Sequence, residues 1–210
     1  MFNAMSKNYL EAAYRRAKPG GTLLFLLGWG AIFSISGVSF GQEKALERAA
    51  SVIQPQAYVS LQPVPRGRSF DVAVVAKIAS GFHVNAHEPS ESYLIPTKVT
   101  AELPPGVVVV ETAYPRGVMR KFQFATMPLR VYEASFTVKM RLRAASAAAL
   151  GPQKIALNVG YQACTQDTCL PPANVSAVAT IQVAAADTPA YPANPAIFSS
   201  GPAPKFPAPR

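Results

Sequence analysis

The sequence predicts an all-β fold, an antiparallel β-sandwich, and three observations support this fold class. From Ala57 onward, about seven short segments alternate apolar and polar side chains, as half-buried strands do. Turn signals rich in glycine and proline separate these segments, for example Pro104-Pro105-Gly106. Half of the 210 residues are apolar, which is enough to fill one core of ordinary size. These features together are typical of two packed antiparallel sheets.

Four regions follow from these patterns and from the composition of the two ends. Residues 57–186 hold the predicted strands, at 69–79, 82–86, 97–103, 107–113 and 134–144, with two more beginning at Ile155 and near Val175. Residues 42–56 contain ALERAASVI, which predicts a linker or a short helix that ends before Pro55. The tail, residues 187–210, is rich in proline and lacks a regular pattern, so we expect it to be extended and disordered.

The N-terminal 41 residues predict export from the cytosol. Residues 1–20 carry four basic side chains, and residues 22–40 form the apolar run TLLFLLGWGAIFSISGVSF. A basic region followed by an apolar one is typical of a secretory signal peptide, and the small residues around Gly41 fit cleavage there. The run is also close to the roughly 20 residues of a membrane-spanning helix, so an uncleaved anchor is the alternative. In both cases we expect the remainder in the periplasm, attached to the membrane only through this segment and only if the segment is not cleaved.

The basic charge of the chain is partly a property of its N-terminus. The formal net charge is +9, and removal of residues 1–41, with their four basic residues and Glu11, leaves +6. The remaining excess has one local concentration, at Arg116, Arg120 and Lys121. This cluster predicts either a solvated loop or a basic docking surface for an acidic partner. It lacks interleaved aromatic residues and any nucleic-acid-binding motif, so we do not expect a nucleic-acid partner.

The two cysteines, Cys164 and Cys169, are the strongest candidates for chemistry. They lie between two alternating segments, so they are expected at the two ends of a four-residue hairpin loop, residues 165–168. Residues that face each other across an antiparallel pair have Cα atoms about 4.5–5.5 Å apart, a separation that a disulfide can bridge. Closing so short a loop stabilises the fold by only about 2 kcal/mol. The bond is therefore a candidate for one that opens in function.

Three sequence strings resemble one protein family. They are YQAC-x4-CLPP from Tyr161, GFHVNAHEPSESYLIPT at residues 81–97, and LPPGV at residues 103–107. Over residues 55–185 the chain resembles the N-terminal periplasmic domain of the thiol:disulfide interchange protein DsbD. The resemblance implies an immunoglobulin-like sandwich whose cysteine pair relays electrons between a membrane-embedded reductase and periplasmic partner proteins. Because the sequence ends at Arg210 without a membrane domain or a thioredoxin-like domain, we expect a separate envelope thiol–disulfide protein to be the electron donor.

The resemblance also implies roles for individual residues. Cys169 would form the bond to the partner, and Cys164 would resolve it. An aromatic loop that covers the cysteines in the family would fall at residues 111–115, where Tyr114 is the one aromatic residue. The residues predicted to bind the partner or to cover the cysteines are Tyr114, Tyr161, Gln162, Asp167 and Pro171. No cofactor is implied.

The sequence leaves two other interpretations of the cysteines open. A close pair in an exported protein is often an inert structural disulfide, which would make the chain a structural or protein-binding domain. Alternatively, His83 and His87 could join the two cysteines in a Cys2His2 zinc site, although the spacing is not that of a zinc finger. A third interpretation is an exchange protein, that is, a thiol–disulfide oxidoreductase module. The reduction potential of the cysteine pair would distinguish it from a structural disulfide, and the zinc content would distinguish it from a zinc site.

Overall fold

A computed structural model describes residues 40–199, so nearly all of the predicted signal or anchor segment lies outside the described residues. The elements, in chain order, are α1 (Phe40–Ser51), β1 (Ile53–Val59), β2 (Leu61–Gln62), β3 (Val64–Pro65), β4 (Ser69–Ile78), β5 (His83–Asn85), β6 (Lys98–Glu102), β7 (Val107–Ala113), β8 (Val118–Arg120), β9 (Leu129–Glu133), β10 (Ser135–Ala144), β11 (Gly151–Tyr161), β12 (Ala163–Cys164), β13 (Ala173–Ala184), β14 (Tyr191–Pro192) and α2 (Pro195–Phe198). Within this described part of the chain, neither helix is long and apolar enough to cross a membrane.

Two four-stranded sheets enclose the main core. One sheet has the strand order β1-β4-β10-β7, and the other has the order β3-β13-β11-β6. All their pairings are antiparallel except that of the two-residue strand β3 with β13, which is parallel. Side chains from both sheets meet in one buried cluster. The predicted fold class, an all-β immunoglobulin-like antiparallel sandwich, is confirmed.

The period of two along each strand explains which side chains fill this core. In β10, every second residue is buried, namely Phe136, Val138, Met140, Leu142 and Ala144. The residues between them, such as Lys139, point away from the core because successive side chains of a strand lie on opposite faces. The same alternation in the sequence carried the strand prediction, and β4, β7 and β10 begin and end within one residue of the predicted limits.

A third, smaller sheet has the strand order β12-β5-β9-β8 and holds the cysteine loop. Its strands are two to five residues long. Strand β9 leads into the long strand β10 through Ala134, whose φ of 58° turns the chain from one sheet into the other. The small sheet is therefore continuous with the sandwich through the β9–β10 connection, and this connection fixes its position.

Part of the proline-rich tail differs from the predicted extended, disordered segment. Tyr191 and Pro192 form strand β14, which pairs with β2, and the Ala193 N–H donates to the Ser60 carbonyl at 2.8 Å. The Asn194 side chain donates to the Val59 carbonyl at 2.9 Å. Proline is compatible with such an edge because an edge strand leaves half of its N–H groups unpaired.

Tyr161 connects the helix α1 to the sandwich. Its side chain is 1% exposed, and its hydroxyl donates to the Ala49 carbonyl at 2.6 Å while accepting from the Ile53 N–H at 3.3 Å. Burial raises the pKa of the hydroxyl, and the bond from the Ile53 N–H acts in the opposite direction. The neutral hydroxyl thus satisfies two backbone groups at the point where α1 ends and β1 begins.

Replacing Tyr161 with phenylalanine is expected to lower the free energy of unfolding by about 2 kcal/mol, because two buried backbone groups lose their partner. Urea denaturation monitored by circular dichroism measures the change. Tyr58→Phe is the matched control, since the Tyr58 hydroxyl bonds the Gln56 side chain at an exposed position and should contribute less than about 0.5 kcal/mol. Equal losses in the two variants would contradict the anchoring role of Tyr161.

Candidate active site around the cysteine pair

Cys164 and Cys169 form a disulfide and face each other as an antiparallel bridge at the two ends of the loop 165–168. Their Cα atoms are 3.9 Å apart, which is shorter than the separation expected from strand pairing. Inside the loop, the Thr165 N–H donates to the Thr168 carbonyl at 2.8 Å, and the Thr168 N–H donates to the Thr165 hydroxyl at 3.3 Å. The predicted four-residue loop with facing cysteines is confirmed.

The two cysteines differ sharply in their exposure. Cys164 is 2% exposed, whereas Cys169 is an exposed residue. The difference follows from the strand pairing, because Cys164 is part of β12 inside the small sheet and Cys169 lies beyond its edge. Cys169 is therefore the more accessible residue of the pair.

A β-bulge turns the cysteine loop out of the large sheet. The regular pairing of β11 and β13 ends at Tyr161 and Ala173, and the next pair is Cys164 with Cys169. Two residues separate these pairs on the first strand and three on the second, which includes Pro171-Pro172. Proline cannot donate to the ladder, and an extra residue bends the strand that carries it. The loop is thereby directed to the small sheet, where β12 pairs with β5.

A row of three side chains crosses the small sheet next to the disulfide. Cys164 pairs with His83 on β5, and His83 pairs with Glu133 on β9. Directly paired residues in antiparallel strands place their side chains on the same face, with Cβ atoms about 4.5–5.5 Å apart. Arg120 on β8 donates from Nε to the Glu133 carboxylate at 2.8 Å. His83 therefore lies between the buried sulfur and an ion pair.

Phe122, in the loop between β8 and β9, covers this row. Its ring stacks on the His83 ring with centroids 4.0 Å apart and an interplanar angle of 17°. It is 3% exposed and packs with Leu129 and Val131 in a small cluster separate from the main core. Phe124 stacks on the outer side of Phe122, with centroids 5.4 Å apart, and is 44% exposed. An aromatic stack thus runs from the surface to the residue beside Cys164.

His83 is held in its neutral form. It is 4% exposed, and its Nε2 atom is buried without a hydrogen-bond partner. Burial lowers the pKa of the imidazole from 6.5 to about 4, and the nearby Glu133 carboxylate acts in the opposite direction. Burial has the larger effect on the pKa because the Glu133 carboxylate is already paired with the Arg120 guanidinium.

The other predicted site residues lie in several environments. Tyr114 is half-buried; its ring stacks on His87 with centroids 3.5 Å apart, and its hydroxyl accepts from the Val99 N–H at 2.9 Å. Gln162 donates to the Leu170 carbonyl at 3.3 Å across the bulge. Tyr161 is the buried anchor of α1. Asp167 is exposed at the tip of the cysteine loop, and Pro171 is half-buried within the bulge.

Tyr114 borders a groove of about 690 Å³. The groove is also lined by the basic residue Arg116 and by the pair Glu88 and Arg130. Of the predicted basic cluster, Arg116 lines this groove, whereas Arg120 is paired with Glu133. The role of Tyr114 as a cover for the cysteines and the basic docking surface stay predictions.

The sequence interpretation did not assign a role to Phe122 or Phe124, and it treated His83 as a strand residue or a zinc ligand. The signal for the two aromatic residues was the string KFQF at residues 121–124, two rings in a polar loop. Nothing in the sequence placed that loop against β5. Within residues 40–199, no group of three or more histidine, cysteine, aspartate or glutamate side chains is arranged to hold a metal ion.

Comparisons with known proteins agree with the resemblance in the sequence. Residues 49–180 match the family model described as the N-terminal region of the thiol:disulfide interchange protein DsbD. A crystal structure of the Neisseria meningitidis DsbD N-terminal domain in the reduced form is 19% identical, covering 65% of this chain and 90% of that chain, with a TM-score of 0.35. A complex between the DsbD N-terminal and PilB N-terminal domains from Neisseria meningitidis is 17% identical, covering 60% of this chain and 80% of that chain, with a TM-score of 0.36. Among curated proteins, none matches this chain.

Proposed function

This chain belongs to the family of the N-terminal domain of the thiol:disulfide interchange protein DsbD, and from that membership we propose that it relays electrons between the cysteine pairs of other proteins through Cys164 and Cys169. The family takes part in thiol–disulfide exchange. The observation that carries the proposal is the unequal exposure of the two sulfur-bearing residues, 2% for Cys164 against an exposed Cys169. Such an arrangement gives the two cysteines different roles.

The exchange begins when a thiolate of a reduced donor protein attacks Cys169 Sγ. The Cys164–Cys169 bond breaks, Cys164 leaves as a thiolate and takes up a proton, and the donor is joined to Cys169. The second thiol of the donor then attacks the mixed disulfide, which releases Cys169 and leaves the donor oxidised. Two electrons and two protons have passed from the donor to this chain. The same steps in reverse, with Cys169 attacking an acceptor disulfide and Cys164 resolving the bond, pass them on.

The aromatic stack supports the assignment of Cys169 as the attacked residue. Phe122 lies on the same face of the small sheet as Cys164 and contacts its neighbour His83. An incoming protein therefore finds this side of the disulfide covered by packed side chains. We assign a covering role to Phe122, in addition to the one that the resemblance implies for Tyr114, with Phe124 as the exposed ring that contacts solvent and partners.

We place this exchange in the periplasm, with other envelope thiol–disulfide proteins as donor and acceptor. A disulfide between close cysteines persists in that compartment and is usually reduced in the cytosol. A partner must reach the exposed residue Cys169 in a short loop, so it must present its own cysteine on a protruding or accessible surface. Asp167 in the loop and Phe124 on the aromatic stack are both exposed, so a partner can contact them.

Trapping of mixed disulfides tests the proposal. In the exported full chain, Cys164→Ala should leave Cys169 attached to its partners as adducts that a reductant releases. The control is the double variant Cys164→Ala/Cys169→Ala, in which no adduct can form. Failure to recover any adduct from the envelope with either single-cysteine variant would count against a relay.

The reduction potential of the purified chain provides a second measurement. An exchange protein is expected near about −200 mV, whereas a value below about −300 mV is typical of a structural disulfide that resists reduction. The potential is obtained by equilibrating the chain with glutathione buffers and alkylating the free thiols. A value in the lower range would favour a structural or protein-binding domain with a permanent disulfide.

A further inference from the structure

His83 Nε2 is an exception among the polar side chains of this protein. Within residues 40–199 it is the one buried side-chain nitrogen or oxygen atom without a hydrogen-bond partner. Buried polar atoms are nearly always paired, and an unpaired one destabilises the form of the protein that contains it. The structure holds the cysteines as a disulfide, so the atom is unpaired in the oxidised form.

The position of His83 identifies a partner that the oxidised form lacks. Cys164 is its direct cross-strand neighbour, and the two side chains share one face with Cβ atoms about 4.5–5.5 Å apart. A thiol is a hydrogen-bond donor, whereas a disulfide sulfur has no proton to donate. The stack of Phe122 on the His83 ring limits rotation of the imidazole toward solvent. Reduction therefore places a donor on the side chain that directly neighbours the His83 ring.

We propose that His83 Nε2 accepts a hydrogen bond from the Cys164 thiol in the reduced form, so that His83 stabilises the dithiol relative to the disulfide. The inference rests on the proposed exchange function, in which the donor dithiol supplies the two electrons and the two protons. One of those protons becomes the Cys164 S–H that points to Nε2, with the ring proton on Nδ1. The bond is lost again when Cys164 attacks Cys169 and the disulfide reforms.

The charges around His83 are compatible with this role. The groups that face it are Cys164 from β12, Glu133 from β9 and Phe122 from the covering loop, and the Glu133 carboxylate is paired with Arg120. Because the pKa of the imidazole is lowered to about 4, the ring is neutral at neutral pH and Nε2 can accept a hydrogen bond. His83 thus acts through Cys164 as a positioning residue and does not exchange electrons.

His83→Phe tests the proposal because it keeps an aromatic ring against Phe122 and removes the nitrogen. The equilibrium constant for reduction by glutathione should fall about tenfold, which is about 30 mV for a two-electron couple. His87→Phe in the same full chain is the control, since His87 Nδ1 is already bonded to the Thr97 carbonyl, and it should leave the constant unchanged. An unchanged constant in His83→Phe would overturn the proposal.

Nuclear magnetic resonance of the unsubstituted full chain gives a readout that does not depend on the folding of a variant. The ¹⁵N resonance of His83 Nε2 should shift on reduction to that of an unprotonated, hydrogen-bonded nitrogen, while the His87 resonances stay in place. Identical His83 resonances in the oxidised and reduced forms would refute the hydrogen bond. That result, together with successful trapping of partners on Cys169, would leave the exchange function intact and remove only the role of His83.

Discussion

Phe122→Ala is expected to lower the free energy of unfolding of the disulfide form by about 3 kcal/mol, whereas Phe124→Ala should lower it by less than about 1 kcal/mol. The two rings stack on each other, but Phe122 is 3% exposed and Phe124 is 44% exposed. Truncation of Phe122 leaves a cavity against His83, Leu129 and Val131 in a cluster too small to collapse around it. Urea denaturation of both variants measures the difference.

The same substitution should change which sulfur is attacked. When the oxidised chain reacts with glutathione and the adducts are trapped by alkylation, the unsubstituted protein should carry glutathione on Cys169. Phe122→Ala should carry it on Cys164 as well, because the cover over the neighbouring His83 is gone. Peptide mass spectrometry locates the adduct, and Phe124→Ala is the matched control with the original pattern. Glutathione on Cys169 alone in all three proteins would contradict the covering role of Phe122.

The strands of the two large sheets were predictable because alternation over ten or more residues, as in β4 and β10, is a strong local signal. The small sheet was not predictable in the same way. All three residues of β8 are exposed, so its sequence has no alternation to read. The break between β9 and β10 lies at Ala134, which has a φ of 58° although alanine gives no turn signal. The register of such short strands depends on neighbours that are distant in the sequence.

The candidate site also has a part that was predictable from the sequence and a part that was not. The cysteine loop was predictable because its geometry is local, with four residues between facing strand ends. The relation of Cys164 to His83 spans 81 residues and exists only because the bulge at Pro171-Pro172 directs the loop to β5. The position of Phe122 depends in turn on the β8–β9 hairpin. The sequence therefore identified the candidate cysteine pair, and the structure identified the residues that surround Cys164.

The disulfide form should lose stability between about pH 6.5 and pH 4 because His83 is buried in its neutral form. The folded-state pKa of His83 is about 4, below the ordinary value of 6.5. Between these values the unfolded chain binds a proton at this histidine and the folded chain does not, so the free energy of unfolding falls as the pH falls. A difference of this size corresponds to at most about 3 kcal/mol, all of it present above pH 6.5 and lost as the pH reaches about 4.

Comparison with His83→Phe isolates this contribution, because carboxylates elsewhere in the chain titrate in both proteins. Urea denaturation at several pH values should give curves that diverge below pH 6.5, with the variant the more stable protein and the gap widening to about 3 kcal/mol near pH 4. At neutral pH the variant should already be slightly more stable, since it removes the unpaired Nε2 atom. A gap that stays constant with pH would mean that His83 takes up its proton as readily in the folded chain as in the unfolded one. The neutral, unpaired imidazole beside Cys164 would then be the wrong description of the oxidised site.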